Sequence, residues 1–313
     1  MDILDDILDT IDLKGSLYFR TEFSAPWAVT VPKHSQAARF HFVIQGQSFI
    51  CVDSHHKVEL NAGDLILIPY GSSHVIADSP KEKAPALETV LTDSGYRGEG
   101  VLVLGNGRQD HSTQMVCGHF NFRSKAEHPL INALPSYVVV RSGMRAQNPL
   151  LDNALRMISR ITYESSIGSN AAIKRLSEVV FIELLRLGID ENGPKKSLIH
   201  ALNDRSVGRA LSLIHSSPEY PWSLDALASE VAMSRSRFAE RFKGLVGKSP
   251  MLYLSEWRLQ KALALVGDTQ CSIQQVANLA GYRSPSSFTR AFQGRFGMPP
   301  KKYREEVRNE RSS

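Results

Sequence analysis

The sequence predicts an α+β protein of two domains: a β-rich N-terminal domain followed by helices, then an all-α C-terminal domain with two helix-turn-helix units. Three observations predict it. Short alternating apolar runs, broken by Pro, Gly, Asn and Asp, fill Ser16 to about Val140. Helical spacing of apolar residues takes over at Pro149. A helix-turn-helix pattern near the C-terminus then occurs twice, about 50 residues apart.

Taken in order, Ile3, Leu4, Ile7, Leu8 and Ile11 predict a short amphipathic helix packed on its own N-terminal domain. The stretch MDILDDILDT has no basic region, so it does not read as a signal peptide. Phe19, Val29, Val31, Phe40, Phe42, Ile44, Phe49 and Val52 mark strands. A passage Gly63-x5-Pro69-x-Gly71-x2-His74 follows. Gly63 turns the chain into a buried strand, Pro69 and Gly71 turn it again, and the next strand carries His74. Asp78 to Gln114 reads as loops around one strand, Gly100–Leu104, and His55-His56 as a solvated hairpin tip. Arg141 and Arg145 share a spacing with cyclic dinucleotide binders, though four-spaced arginines are common.

Leu150, Leu151, Ala154, Leu155, Ile158 and Ile161 predict one amphipathic helix; Ile173, Leu176, Val179, Val180, Leu184 and Leu185 predict a second, ending near Gly188. Two adjacent apolar helices fit either a cap on the β-domain or a two-fold dimer interface through residues such as Leu176 and Val180. Asp190–Lys196 is polar, broken by Gly-Pro, and reads as the linker. A further short helix, Leu198–Asn203, leads into the C-terminal domain, where Val207, Ala210, Leu211, Leu213 and Ile214 give the first amphipathic helix. The expected division is 1–145, 146–205 and 206–308.

The C-terminal pattern is explicit. Ser272 and Gln275 form a capping-box pair, Gly281 is a turn residue, and Ser284-Pro285 starts a second helix with Pro at its first position. Phe288, Phe292 and Phe296 anchor that helix at four-residue spacing. Shifted by 50 residues, Ser234, Phe238, Phe242, Gly247, Pro250 and Tyr253 fall on Ser284, Phe288, Phe292, Gly297, Pro300 and Tyr303. Before the turn the offset is 49, which pairs Ala228 with Ala277 and Ala232 with Gly281.

This duplicated unit, closed each time by G-x-x-P-x-x-Y, resembles the AraC/XylS family of transcription regulators over Ser206–Arg308. The resemblance implies that each copy places its second helix in a major groove, with one long helix from Ser249-Pro250 to about Val266 joining the copies. The Gly63–His74 passage resembles the second cupin motif, and the N-terminal part resembles the cupin-type sensor domains that precede such modules. The implied N-terminal fold is a cupin-like β-barrel. The first cupin motif is incomplete: Arg39-Phe-His41-Phe keeps one histidine where metal-binding cupins have two and, further on, a Glu.

Charge follows the same division. Of a net +5, residues from Val207 onward hold 16 Lys+Arg against 9 Asp+Glu, and the preceding part holds 21 against 23. The basic excess therefore coincides with the duplicated motif, which points to DNA. Cys51, Cys117 and Cys271 are scattered and suit a reducing cytoplasm. No apolar run is long enough for a membrane span.

On a helical wheel, Ser236, Glu240 and Lys243 face away from Phe238 and Phe242, and Ser286, Arg290 and Gln293 away from the second phenylalanine seam, with Ser287 and Thr289 alongside. Arg290 suits guanine O6/N7 and Glu240 suits cytosine N4. Arg235, Arg237, Arg241, Lys248, Arg283 and Arg295 read as phosphate contacts. His41, His74 and Cys117, with His119 as a substitute, are the candidate ligands of a divalent metal such as zinc, set against buried core roles. The expected function is an effector-responsive activator. Its partners would be double-stranded promoter DNA, RNA polymerase, a small effector and a second copy. The alternative is a metal-dependent cupin enzyme with an autoregulatory DNA-binding tail.

Overall fold

A computed structural model describes residues 3–312 except 35–36, 53–55, 82, 99, 106–111, 124, 127–133, 165–166, 188–197 and 269. By contacts the chain divides into two units. One comprises residues 13–122 and 134–191; the other comprises 1–12, 123–133 and 192–313. His55 and the expected linker Asp190–Lys196 lie outside the described residues.

The first unit is a double-sheet β structure. Strands β1 (Lys14–Phe23), β3 (Ala37–Gln45), β6 (Leu65–Ile68), β8 (Val101–Leu104), β9 (Thr113–Asn121) and β10 (Val138–Val140) form a six-stranded sheet in the order β10-β6-β3-β9-β1-β8. The second sheet has β2 (Ala28–Val31), β4 (Gln47–Val52), β5 (His56–Asn61) and β7 (His74–Ala77) in the order β2-β7-β4-β5. Phe23, Val43, Ile66, Leu102 and Met115 from the first sheet meet Val31, Ile50, Val58, Leu60 and Ile76 from the second in one buried core. The Gly63–His74 passage folds as its spacing demands. At Gly71 φ is +55°, and a Cβ there would lie 2.2 Å from the His34 carbonyl oxygen, so only glycine fits before His74 opens β7.

The expected loop region holds an unforeseen helix, α2 (Leu87–Asp93), besides β8. It is a run of 7 residues with no side-chain cap, and although Val90 is buried with Leu87 and Leu91 packed beside it, so short a run gives a weak periodic signal. Short α3 (Ser142–Arg145) precedes α4 (Pro149–Glu164) and α5 (Ser169–Leu187), which pack on each other, α5 also against β1. Val180 is buried with Phe181, Leu184 and Leu185, so it belongs to this unit's own core and not to an exposed face. Leu150 and Met157, seven residues apart on α4, are half exposed instead. Arg141 and Arg145 are structural: Arg141 binds the Asp64 carboxylate at 2.8 Å and Arg145 the Asp152 carboxylate at 2.7 Å.

The helical unit contains α6 (Leu198–Asn203), α7 (Arg205–Ser216), α8 (Leu224–Glu230), α9 (Arg235–Val246), α10 (Pro250–Asp268), α11 (Ile273–Leu279), α12 (Pro285–Phe296) and α13 (Pro300–Ser312). The N-terminal helix α1 (Ile3–Ile11) belongs here too, packed on α7 and α10, contrary to the expectation that it rests on the β-domain. Polarity explains the partner. Asp6 is buried on the apolar face of α1 and needs cations. It accepts from Lys261 Nζ at 2.6 Å and meets His215 Nδ1 at 2.9 Å, while His215 Nε2 contacts the Tyr253 hydroxyl at 2.8 Å. Burial pushes the Asp6 carboxyl up, but the His215 and Lys261 hydrogen bonds outweigh it and hold the group below its ordinary range.

Candidate nucleic-acid interface

Each half of the duplicated unit is assembled by its own local signals. In the second half, Ser272 Oγ accepts from the Gln275 amide at 3.2 Å, and Gln275 Oε1 accepts from the Ser272 amide at 2.8 Å. Ser284 accepts from the Ser287 amide at 3.2 Å with Pro285 at the first helical position. Phe288, Phe292 and Phe296 then bury their rings against Leu259, Leu263 and Val266 of α10. In the first half Phe238 and Phe242 are fully buried, and Phe242 packs on Tyr253, with ring centroids 5.8 Å apart. Gly247 and Gly297 end the two recognition helices in the left-handed conformation, at φ 82° and 76°. Ala232 and Gly281 hold the matching turns with φ 52° and 72°.

This seam turns the opposite faces outward. Ser236, Glu240 and Lys243 on α9, and Ser286, Arg290 and Gln293 on α12, are all exposed. Arg290 makes no ion pair among the described residues. Ser287 is different: its hydroxyl donates to the Ser284 carbonyl at 2.8 Å, so it serves the helix cap. Thr289 is half-buried beside it.

Several expected phosphate contacts are engaged within the chain. Asp204, the N-cap of α7, takes Arg241 in a forked pair, with Nε at 3.0 Å and Nη2 at 2.5 Å from Oδ2. Lys248 pairs with Glu256 at 2.6 Å, and Arg235 with Asp225 at 3.2 Å. These acids are distant in sequence or on other helices, so the wheel could not show them. Arg237, Lys243 and Arg283 remain exposed cations. Two arginines that the sequence reading missed, Arg205 and Arg209, lie on α7 beside Arg237 and Arg241. The four share one open concave pocket of about 820 Å³. They were missed because α7 reads only as an amphipathic scaffold helix.

In the β-domain, His41, His74 and Cys117 do come together, all buried, His41 and Cys117 as register partners on β3 and β9. Their nitrogens are already allocated. His74 Nδ1 donates to the Ser72 carbonyl at 2.8 Å, which leaves its Nε2 an acceptor. His41 Nε2 therefore donates to His74 Nε2 at 2.8 Å, and the Cys117 thiol donates to His41 Nδ1 at 3.1 Å. The relay is neutral throughout. Burial, then the neighbouring His74 and Arg39, depress His41 well below its usual range; burial lowers His74 to about 4. Burial raises the Cys117 thiol to about 12.

The two ring nitrogens of His41 face different partners, Nδ1 toward Cys117 and Nε2 toward His74, so the three donors do not converge on one point as the expected zinc site requires. His119 stands apart, stacked on His34 with centroids 5.7 Å apart. Among the described residues no group of three His, Cys, Asp or Glu is arranged to hold a metal ion. Beside the relay, Phe19, Phe23, Val31, Leu87 and Leu102 line a cavity of about 10 Å³, room for one water.

A β-sandwich unit joined to two capped, phenylalanine-anchored helix-turn-helix units defines a DNA-binding regulator by class. Comparison with known proteins agrees. A family model described as Cupin matches residues 2–190, and one described as a helix-turn-helix domain matches residues 227–306. The HTH-type transcriptional regulator AlkR of Acinetobacter baylyi is 31% identical over 98% of this chain and 100% of its own length. A putative AraC-like transcription regulator of Streptomyces antibioticus is 28% identical over 97% of this chain and 99% of that protein. The HTH-type transcriptional regulator MtrA of Neisseria gonorrhoeae is 26% identical over 98% and 99%. The chain belongs to the AraC-type transcription regulators that carry an N-terminal cupin domain, and it is a DNA-binding transcription regulator. Among the described residues no helix is long and apolar enough to cross a membrane.

Proposed function

We propose that the protein is a cytoplasmic, effector-responsive activator that works as a homodimer, each subunit reading two adjacent major grooves through α9 and α12. The observation that carries this reading is the matched pair of recognition helices, each with its polar face exposed opposite a buried phenylalanine seam. Activation through contact with RNA polymerase is the route the family resemblance implies. The effector site is the apolar cavity beside His41. Leu87 of α2 lines it, so a ligand larger than water displaces α2 and thereby favours one conformation over another. The dimer face is the α4–α5 pair, where Leu150 and Met157 are exposed. Changing both to Asp is expected to give monomers by light scattering; an unchanged dimer would place the interface elsewhere.

The test of groove reading compares Arg290 with Arg295. Arg290 is exposed, about 160° round the helix from Phe292, while Arg295 is half-buried near the helix end. A bidentate arginine–guanine contact discriminates by about 1–3 kcal/mol, whereas a phosphate contact is blind to sequence. Arg290→Ala is expected to weaken binding to a duplex selected from a random pool far more than to random DNA. Arg295→Ala is expected to weaken both alike. Equal losses for Arg290→Ala would make it a phosphate contact and move base reading to Ser286, Thr289 and Gln293.

A further inference from the structure

The first helix-turn-helix has a charge arrangement that its recognition face does not account for. Arg205 and Arg209 stand one turn apart on α7, Arg237 and Arg241 one turn apart on α9, and all four line the same open pocket of about 820 Å³. Val231 and Met233, from the turn between α8 and α9, contribute apolar surface to it. Two carboxylates answer these four cations: Glu230 pairs with Arg209 at 3.1 Å and Asp204 with Arg241. The side chains of Arg205 and Arg237 are exposed and make no ion pair or hydrogen bond among the described residues. A concave site with uncompensated charge of one sign and partly apolar walls concentrates counter-ions.

Arg237 shows which anion this site faces. It lies about 80° round α9 from the direction shared by Ser236 and Glu240, on the flank of the groove-facing surface. A helix seated in a major groove about 12 Å wide has a sugar–phosphate strand along each flank. We propose that this cleft seats a backbone phosphate of one such strand, with Arg205, Arg209 and Arg237 as donors. Arg241, held by Asp204, ties α9 to the N-terminus of α7 and so sets the cleft's width. On this assignment α7 is part of the DNA interface. The inference rests on the reading of α9 as a groove helix. Backbone DNA suits the site better than a free phosphate ester, because the pocket is open and its arginines are exposed, not enclosed around a ligand.

The experiment measures Kd across a salt series for full-length protein, Arg205→Gln, and Arg205→Gln with Arg209→Gln. The probes are a random-sequence duplex and a duplex selected by the wild-type protein from a random pool. The expected result is an equal loss on both duplexes, with the slope of log affinity against log salt falling by about one unit per contact removed. Pyrophosphate titrated without DNA, read by thermal shift, is expected to give no saturable stabilisation at micromolar concentration. Unchanged affinity and slope in the double variant would overturn the proposal. So would a loss confined to the selected duplex, because a phosphate carries no sequence information. Micromolar pyrophosphate binding abolished by Arg205→Gln would also overturn it, by assigning the cleft to a small anion. Failure of the wild-type protein to bind either duplex at low salt would instead sink the groove reading itself.

Discussion

His74 shows how one residue couples burial to pH. Its Nδ1–H is committed to Ser72 and its Nε2 to His41, so protonation needs a lone pair that is already in use. Its folded pKa of about 4 lies below the ordinary 6.5. Between those values the unfolded chain binds more protons, so stability rises with pH and is lost as pH falls from 6.5 toward 4. The shift corresponds to about 3 kcal/mol for this residue. Urea unfolding of the β-domain, followed through buried Trp27, is expected to show a midpoint that falls across that window, and a shallower fall in His74→Gln. Equal pH dependence in both would mean that the fall comes from the other depressed histidines of the unit, His41 and His119, and not from His74. The cupin-like motifs pointed to His41 and His74, because strand alternation and the Gly71 turn are local, whereas Cys117 reaches them only through the long-range β3–β9 pairing. Which nitrogen serves which partner is decided by the Ser72 carbonyl and the β3–β9 register, and neither is visible in a motif.

At the scale of elements, the two halves of the repeat solve one turn with different residues. Ala232 and Gly281 both have positive φ, where a Cβ is disfavoured. Ala232→Gly is therefore expected to relieve strain and change stability by less than about 1 kcal/mol, since glycine also loses more entropy on folding. Gly281→Ala is expected to cost more. Its Cβ would meet the Arg258 guanidinium at 2.9 Å, and Arg258 is pinned to the Pro218 carbonyl at 2.6 Å and the Tyr220 carbonyl at 2.8 Å. Thermal unfolding of both variants checks the asymmetry; equal losses would show that Arg258 yields freely. These helices were legible in the sequence because caps, turn glycines and four-residue phenylalanine spacing act within one or two turns. Helix α2 was not: Leu87, Val90 and Leu91 give it a packed apolar face, but the helix is only 7 residues long and has no side-chain cap to mark its start. The acid partners of Arg235, Arg241 and Lys248 were also hidden, because tertiary packing chooses them.

For the whole chain, the least legible feature is the partner of its first helix. The amphipathic pattern of α1 is plain, yet periodicity says only that an apolar face is buried, not against what. The answer lies in Asp6, which is matched by His215 and Lys261 more than 200 residues away. The N-terminal helix is thus a structural member of the DNA-binding unit. A fragment beginning at Leu198 would expose the face of α7 and α10 that α1 covers and leave Lys261 without its carboxylate. Asp6→Ala in the full chain keeps the apolar contacts and removes only the charge. Leaving buried His215 and part-buried Lys261 unmatched is expected to cost about 2 kcal/mol. The probe is Trp257, whose ring lies 4.2 Å from that of His215, so its fluorescence reports this site. The expected outcome is a lower urea midpoint in Asp6→Ala and a lower one still in the 198–313 fragment, with residues 1–12 fused to the fragment restoring part of the loss. If all of these unfold at the wild-type midpoint, α1 contributes nothing to the unit, and the buried Asp6–Lys261 pair is energetically neutral.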